Sequence, residues 1–182
     1  MKKRTLVRIF EATNSLKVLT FLAKNPGQEF LSSEIQKAVG ISRAGAYLAL
    51  QELLKEQLVI RAEKGRFHLY SVNYGNPIVR QFKILINVML LESLIFKIQP
   101  YATRIILFGS GSRGEDAASS DIDLFILSKD PENIRELLAS FKTDRKMQPI
   151  ILAPTEWPDF KEREKVFFEE IEKGIVLWEE KE

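Results

Sequence analysis

Residues 108–127 read FGSGSRGEDAASSDIDLFIL, and this stretch determines how the second half of the chain is interpreted. The apolar residues 105–108 at its start predict a short buried strand. The chain then breaks at Gly109, passes through small and charged residues, and returns to an apolar run at Ile122. We therefore predict two strands joined by a loop that begins with glycine.

Two carboxylates, Asp121 and Asp123, stand one residue apart at the second strand. Because side chains alternate along a strand, both acids should project from the same face. Adjacent carboxylates repel each other unless a cation lies between them, and magnesium prefers one or two carboxylates together with phosphate oxygens. Backbone N–H groups at Gly109 and Ser110 can face a phosphate without a side chain in the way. The pattern predicts nucleotide chemistry, although two acids that only cap a turn before the strand are the simpler alternative.

The ordered motif continues with Arg113 and Gly114 and closes with residues 120–124, SDIDL. It resembles the signature of minimal nucleotidyltransferases of the DNA polymerase beta superfamily, and the resemblance covers residues 105–178. The resemblance implies that Asp121 and Asp123 are catalytic and bind magnesium. It also implies that Gly109, Ser110 and Arg113 hold the phosphates of ATP or another nucleoside triphosphate. The implied reaction joins a nucleoside monophosphate, AMP from ATP, to a hydroxyl of a protein or small molecule.

Active members of this family carry a third carboxylate on the next strand, which we predict at residues 147–152. Gln148 stands where that acid is expected, and Asp144 and Glu156 fall outside the strand. An amide cannot act as a base. Two interpretations therefore stay open: a magnesium-dependent nucleotidyltransferase, or a transcriptional regulator whose domain is catalytically degenerate and only binds a nucleotide or a partner. Family members of this size act as antitoxins that modify a partner toxin, or as enzymes that modify antibiotics.

The first part of the chain predicts three short helices followed by two alternating strands around Gly65. Residues 14–72 resemble the winged helix-turn-helix domains of bacterial and archaeal transcription regulators. The resemblance implies binding to double-stranded DNA, with the third helix in the major groove. The candidate DNA-binding residues are Ser42, Arg43 and Tyr47 on that helix and Lys64 and Arg66 on the wing. The alternative is a winged helix used for protein contact, since residues 44–49 are poor readers of base edges.

A long helix is predicted from Pro77 to Ile98, with apolar residues on more than one stripe. Its charged residues, among them Arg80 and Glu92, argue against a membrane span. We expect this helix to connect the two domains or to pack against its twin in a homodimer.

The chain has 182 residues, no cysteine and a formal net charge of +2. About 12 basic and 6 acidic residues precede position 78, whereas about 15 basic and 19 acidic residues follow it. Nothing after the basic start at residues 1–4 resembles a signal peptide, so we expect a cytoplasmic protein without a membrane partner. We predict an α+β protein with three parts: a winged helix at 1–75, a connecting helix at 76–99 and a nucleotidyltransferase-like domain with a short mixed sheet at 100–182.

Overall fold

The computed structural model describes residues 12–180. The basic start of the chain and the outer ends of the first and last predicted domains lie outside the described residues. The chain divides into two compact units, with the boundary between Met89 and Leu90. Each unit is described by itself.

The first unit begins with three helices and ends with a hairpin. Its elements are α1 (Asn14–Lys24), β1 (Phe30–Leu31), α2 (Ser32–Val39), α3 (Arg43–Lys55), β2 (Val59–Lys64) and β3 (Phe67–Val72). The three strands form an antiparallel sheet in the order β1-β3-β2. The tight turn between β2 and β3 is made by Gly65, whose φ of +61° suits glycine.

One apolar core joins these helices to the hairpin. Fully buried side chains from four elements meet there, including Val18, Leu22, Ile35, Leu50 and Val59. Helix, turn, helix and a two-stranded wing around one core is the winged helix-turn-helix arrangement. The predicted fold of the first part of the chain is confirmed.

The long helix α4 runs from Pro77 to Ile98. Val79, in its first turn, is fully buried in the core of the first unit, and Leu94 and Ile98 are buried farther along. No helix within residues 12–180 combines the length and the apolar character that a membrane crossing requires.

The second unit alternates strands and helices. Its elements are β4 (Ala102–Leu107), α5 (Gly109–Arg113), β5 (Ile122–Ser128), α6 (Pro131–Ser140), β6 (Met147–Leu152), α7 (Trp157–Arg163), α8 (Lys165–Glu172) and β7 (Ile175–Glu179). The sequence predicts a single helix from about Pro158 to Lys173. The structure has two helices there, because Glu164 leaves the helical conformation at φ −112° and ψ 45°.

The four strands of the second unit form one mixed sheet in the order β6-β5-β4-β7. Strand β5 runs antiparallel to β4 and parallel to β6. The central residues Ile105, Ile106, Phe125 and Ile126 are almost fully buried. Because β5 and β6 start at the same edge, side chains at their first residues lie next to each other. The predicted α+β class with a short mixed sheet is confirmed.

Candidate functional site

The predicted acid pair lies at the entry of β5. Asp121 directly precedes the strand and Asp123 is its second residue. Partial burial raises the pKa of the Asp123 carboxyl, and the negative charge of Asp121 raises it further, whereas Arg145 and Arg113 lower it. The structure therefore brings the two carboxylates close enough for the charge of Asp121 to act on Asp123.

Gly109 lies directly against Asp123. Its φ is +66°, and a Cβ atom at this position would stand 2.3 Å from Asp123 Oδ2. The preceding residue, Phe108, donates its backbone N–H to the carbonyl oxygen of Asp123 at 3.1 Å. The end of β4 and Asp123 are thus held together, and only glycine fits at position 109 without strain.

An amide side chain, that of Gln148 on β6, lies beside the acid pair. In the parallel pairing of β5 and β6, Gln148 is the register partner of Asp123. Its Nε2 group donates a hydrogen bond to the Asp121 carboxylate, and Lys146 Nζ lies 3.9 Å from the same oxygen. Glu156 accepts a hydrogen bond from the Ala153 N–H at 2.7 Å and so caps its own turn. Within residues 12–180, no group of three acids, histidines or cysteines is arranged to hold a metal.

Arg113 is held by two carboxylates. Its Nε donates to Glu115 Oε2 at 3.0 Å, and its Nη1 pairs with Glu170 on α8. The hydrogen bond that Arg113 donates to Glu115 raises the pKa of the Arg113 guanidinium, and Glu170 adds to the effect. Arg113 is therefore a fixed positive charge near the acid pair, with about half of its side chain exposed.

A pocket of about 540 Å³ opens over Asp123. Its walls combine the polar residues of the site with apolar side chains, and they consist of Phe108, Gly109, Asp123, Gln148, Pro149, Ile150, Phe167 and Glu170. Local sequence patterns do not mark Phe167 and Glu170 as site residues. Both lie on α8, whose glutamates look like a solvent-exposed face, and only the fold brings that helix to the pocket.

On the recognition helix α3, the three candidate DNA-binding residues have different environments. Ser42 is the N-cap, and its Oγ accepts a hydrogen bond from the Gly45 N–H at 3.0 Å. Arg43 is exposed, and Tyr47 is 60% exposed. Ser42 thus has a structural role, while Arg43 and Tyr47 are available on the surface of the first unit.

The two wing candidates flank the turn of the β2–β3 hairpin. Lys64 forms an ion pair with Glu29 at 2.6 Å. The guanidinium of Arg66 lies over the ring of Phe67, 5.3 Å from its centroid. Arg66 therefore presents its charge at the tip of the wing, whereas the charge of Lys64 is partly balanced by a carboxylate.

The comparison with family models supplies an independent finding about the second unit. Residues 93–182 match the model described as polymerase beta, nucleotidyltransferase. The comparison with curated proteins gave no match.

Several solved structures are similar to part of this chain. A mutant of ZitR from Lactococcus lactis is 19% identical with a TM-score of 0.38, and the alignment covers 48% of this chain and 60% of that one. The repressor CouR, solved on a 23-mer DNA duplex, is 21% identical with a TM-score of 0.37, covering 52% and 76%. A Sulfolobus solfataricus protein assigned as a nucleotidyltransferase is 15% identical with a TM-score of 0.40, covering 59% and 93%. These are distant likenesses, and the winged-helix assignment rests on the topology of the first unit.

The donor groups of the nucleotidyltransferase domain fit a magnesium–nucleotide complex. Magnesium needs only one or two protein carboxylates when phosphate oxygens complete its shell, and Asp121 and Asp123 provide two. Burial and the charge of Asp121 raise the pKa of Asp123, and a cation bound between the two carboxylates would offset both effects. The absent Cβ at Gly109 leaves backbone beside the acids without a side chain over it.

Proposed function

We propose that this protein is a DNA-binding regulator whose nucleotidyltransferase domain transfers a nucleoside monophosphate from ATP to a hydroxyl group. The observation that supports the proposal is Asp123, which is packed against Gly109, where no other residue fits without strain, and which lies within reach of the charge of Asp121. Two adjacent carboxylates beside exposed backbone are suited to a divalent cation and the phosphates that it carries.

In this proposal Asp121 and Asp123 hold magnesium, and Gly109 and Ser110 contact the β- and γ-phosphates. Bound magnesium would neutralise triphosphate charge and favour departure of pyrophosphate. Arg113 already holds a fixed charge beside the acids, and it would exchange its contact with Glu170 for a phosphate oxygen.

The proton of the acceptor hydroxyl needs a base, and Gln148 cannot supply one. Besides Asp123, the pocket lining contributes one carboxylate, Glu170. We assign Glu170 as the proton acceptor. The acceptor oxygen would form a bond to the α-phosphorus, the bond to pyrophosphate would break, and the proton would pass to Glu170 once Arg113 has turned to the phosphates. A partner toxin protein, modified as by an antitoxin, is the acceptor class that the resemblance implies.

A label on the α-phosphate of ATP tests transfer directly. With magnesium and an extract of the host cell as the source of acceptor, the wild-type protein should attach the label to an acceptor. The Asp121→Asn/Asp123→Asn variant should attach none, and Glu170→Gln should slow attachment at least tenfold while Glu169→Gln on the same helix has little effect. Equal labelling by the wild type and the double variant would rule out this site.

A second candidate function is favoured by the hydrogen bond from Gln148 to Asp121. With an amide in place of the third acid, the domain would bind the nucleotide without transferring it, and the nucleotide would regulate DNA binding by the winged helix. This candidate predicts nucleotide binding that requires both acids, no labelled acceptor, and a change in DNA affinity when ATP and magnesium are added.

Binding to double-stranded DNA and homodimer formation complete the proposal. Exposed Arg43 and Arg66 on α3 and the wing suit phosphate contacts. Helix α4 exposes apolar side chains, among them Ile78 at 63% and Leu90 at 42%. Their burial against a second copy would explain why a helix with several apolar stripes leaves some of them exposed.

A further inference from the structure

A buried ion pair lies behind the acid pair in the nucleotidyltransferase domain. Asp116, in the loop between α5 and β5, has no exposed side-chain surface, and Arg145, just before β6, has 13%. Arg145 Nη1 donates to Asp116 Oδ2 at 2.8 Å. A buried pair of charges contributes little to stability by itself, because desolvation offsets much of the attraction. The presence of this ion pair therefore needs an explanation other than stability.

The remaining nitrogens of Arg145 donate to the backbone that carries the acid. Nε donates to the carbonyl oxygen of Ser120 at 2.9 Å, and Nη2 donates to the carbonyl oxygen of Asp121 at 3.0 Å. The next peptide is fixed as well, because the Ile122 N–H donates to the carbonyl oxygen of Lys146 at 2.8 Å. The backbone of Asp121 is therefore held on both sides by the segment that leads into β6.

The loop residues that precede Asp121 also form a small hydrogen-bonded turn. Ser120 Oγ accepts a hydrogen bond from the Ala117 N–H at 2.8 Å, and the Ser120 N–H donates back to the Ala117 carbonyl oxygen at 3.0 Å. Asp116 anchors one end of this small turn through Arg145, and the acid pair follows its other end. The guanidinium thus joins both ends of the turn with three planar donors, an arrangement that a lysine cannot reproduce.

We propose that Arg145 is a positioning residue that sets the carboxylate of Asp121 for metal-dependent nucleotide binding. It acts through the backbone of Ser120 and Asp121, and Asp116 fixes its guanidinium. Groups behind a metal ligand typically change metal affinity by about 10- to 100-fold. This inference rests on the proposed nucleotide site.

The test compares the affinity for ATP at saturating magnesium, measured by calorimetry, among variants of the full chain. Arg145→Ala and Arg145→Lys should both weaken binding by about 10-fold or more, because lysine keeps the charge and loses the two carbonyl contacts. Arg104→Ala is the matched control. Arg104 is 23% exposed and pairs with Glu172 and Glu179 in the same unit, so its loss should lower thermal stability and leave the affinity within about twofold.

Chemical rescue separates positioning from a loss of folding. Guanidinium ion at millimolar concentration, far below the level that unfolds proteins, should restore binding to Arg145→Ala and have no effect on Arg104→Ala. If Arg145→Ala does not fold, Asp116→Asn replaces it. That variant keeps the side-chain volume and removes the charge that anchors Arg145, and it should weaken ATP binding severalfold.

The outcomes distinguish this inference from the proposed function. Binding by the wild type that needs Asp121 and Asp123 but is unchanged in Arg145→Ala would overturn the positioning role alone. Full affinity in Arg145→Lys would also overturn it, because charge would then suffice. No binding by the wild type, or equal binding by the Asp121→Asn/Asp123→Asn variant, would overturn the proposed site and this inference with it.

Discussion

Gly109 has a positive φ and lies close to Asp123. Substitutions at two different glycines can separate the effects of these two properties. Gly109→Ala places a Cβ 2.3 Å from Asp123 Oδ2, so the acid must move or the backbone must shift. We predict that this variant loses at least tenfold in affinity for ATP with magnesium, and loses about 1–3 kcal/mol of stability. Calorimetry and thermal denaturation measure the two effects.

Gly27→Ala is the matched control for that prediction. Gly27 has a φ of +72°, and a Cβ there would meet nothing within 4 Å. Its substitution carries the same kind of backbone cost without touching the site. Unchanged nucleotide affinity in Gly27→Ala and reduced affinity in Gly109→Ala is the expected pair of results, and equal affinities would contradict the role of Gly109.

Asp123 should make the metal-free protein less stable at neutral pH than it would be without this charge. Its folded-state pKa is raised by burial and by Asp121 above the ordinary value of 3.8. When the pH is above the pKa of Asp123 in both the folded and the unfolded chain, the carboxyl is ionised in both states. The ionised carboxyl then destabilises the folded state relative to the unfolded state. As the pH falls through the raised folded pKa, protonation relieves that cost.

We therefore predict that Asp123→Asn melts about 1–3 °C above the wild type at pH 7 without metal, and that the difference narrows as the pH falls towards 4. Added magnesium and ATP should reverse the order, because only the wild type binds them. Asp144→Asn, at an exposed acid outside the pocket, should leave the melting temperature nearly unchanged. A variant that melts below the wild type without metal would be at odds with this electrostatic account.

At the scale of single elements, helix α3 and the wing carry the prediction for DNA. Arg43→Ala and Arg66→Ala should each weaken binding to a duplex and reduce the slope of log affinity against log salt by about 1, because each removes one phosphate contact. Fluorescence anisotropy at several salt concentrations measures both quantities. Lys55→Ala, at the opposite end of α3, should leave the slope unchanged. Loss of affinity with no change in slope would exclude phosphate contact by that residue.

Local patterns predicted most of the elements that build the site. Strand β6 was expected at residues 147–152 and lies at Met147–Leu152. Strand β5 begins at Ile122 as expected, so Asp121 lies one position before the strand. The family resemblance implies a third acid where Gln148 stands, and in the structure Gln148 is the register partner of Asp123. The spacing of apolar residues, the turn residues and the family motif are local properties of the sequence. They were sufficient to predict these elements.

Contacts between segments that are far apart in the chain could not be predicted from the sequence. Arg113 and Glu170 are 57 residues apart in the chain, and nothing in the glutamate-rich helix α8 distinguishes Glu170 from its neighbours. Asp116 has the appearance of an ordinary loop acid, yet its side chain is fully buried. The break at Glu164 was missed because the sequence there contains neither glycine nor proline. These features depend on tertiary packing, which overrides local preference.

At the scale of the whole molecule, we predict a homodimer that uses helix α4. The wild type should have twice the chain mass by light scattering, and Ile78→Glu/Leu90→Glu should shift it towards the monomer, since a charge at each contact would have to be buried. Val166→Glu is the control, because Val166 is 84% exposed on α8. A wild type that is monomeric at all concentrations would exclude the dimer.

The proposed function depends on a metal-dependent nucleotide site at Asp121 and Asp123. Calorimetric titration of the purified protein with ATP and magnesium, beside the Asp121→Asn/Asp123→Asn variant, tests it most directly. A metal-dependent site at these two acids predicts saturable binding by the wild type that disappears when magnesium is removed or when both acids are replaced. Absence of binding by the wild type, or binding that survives both changes, would contradict it.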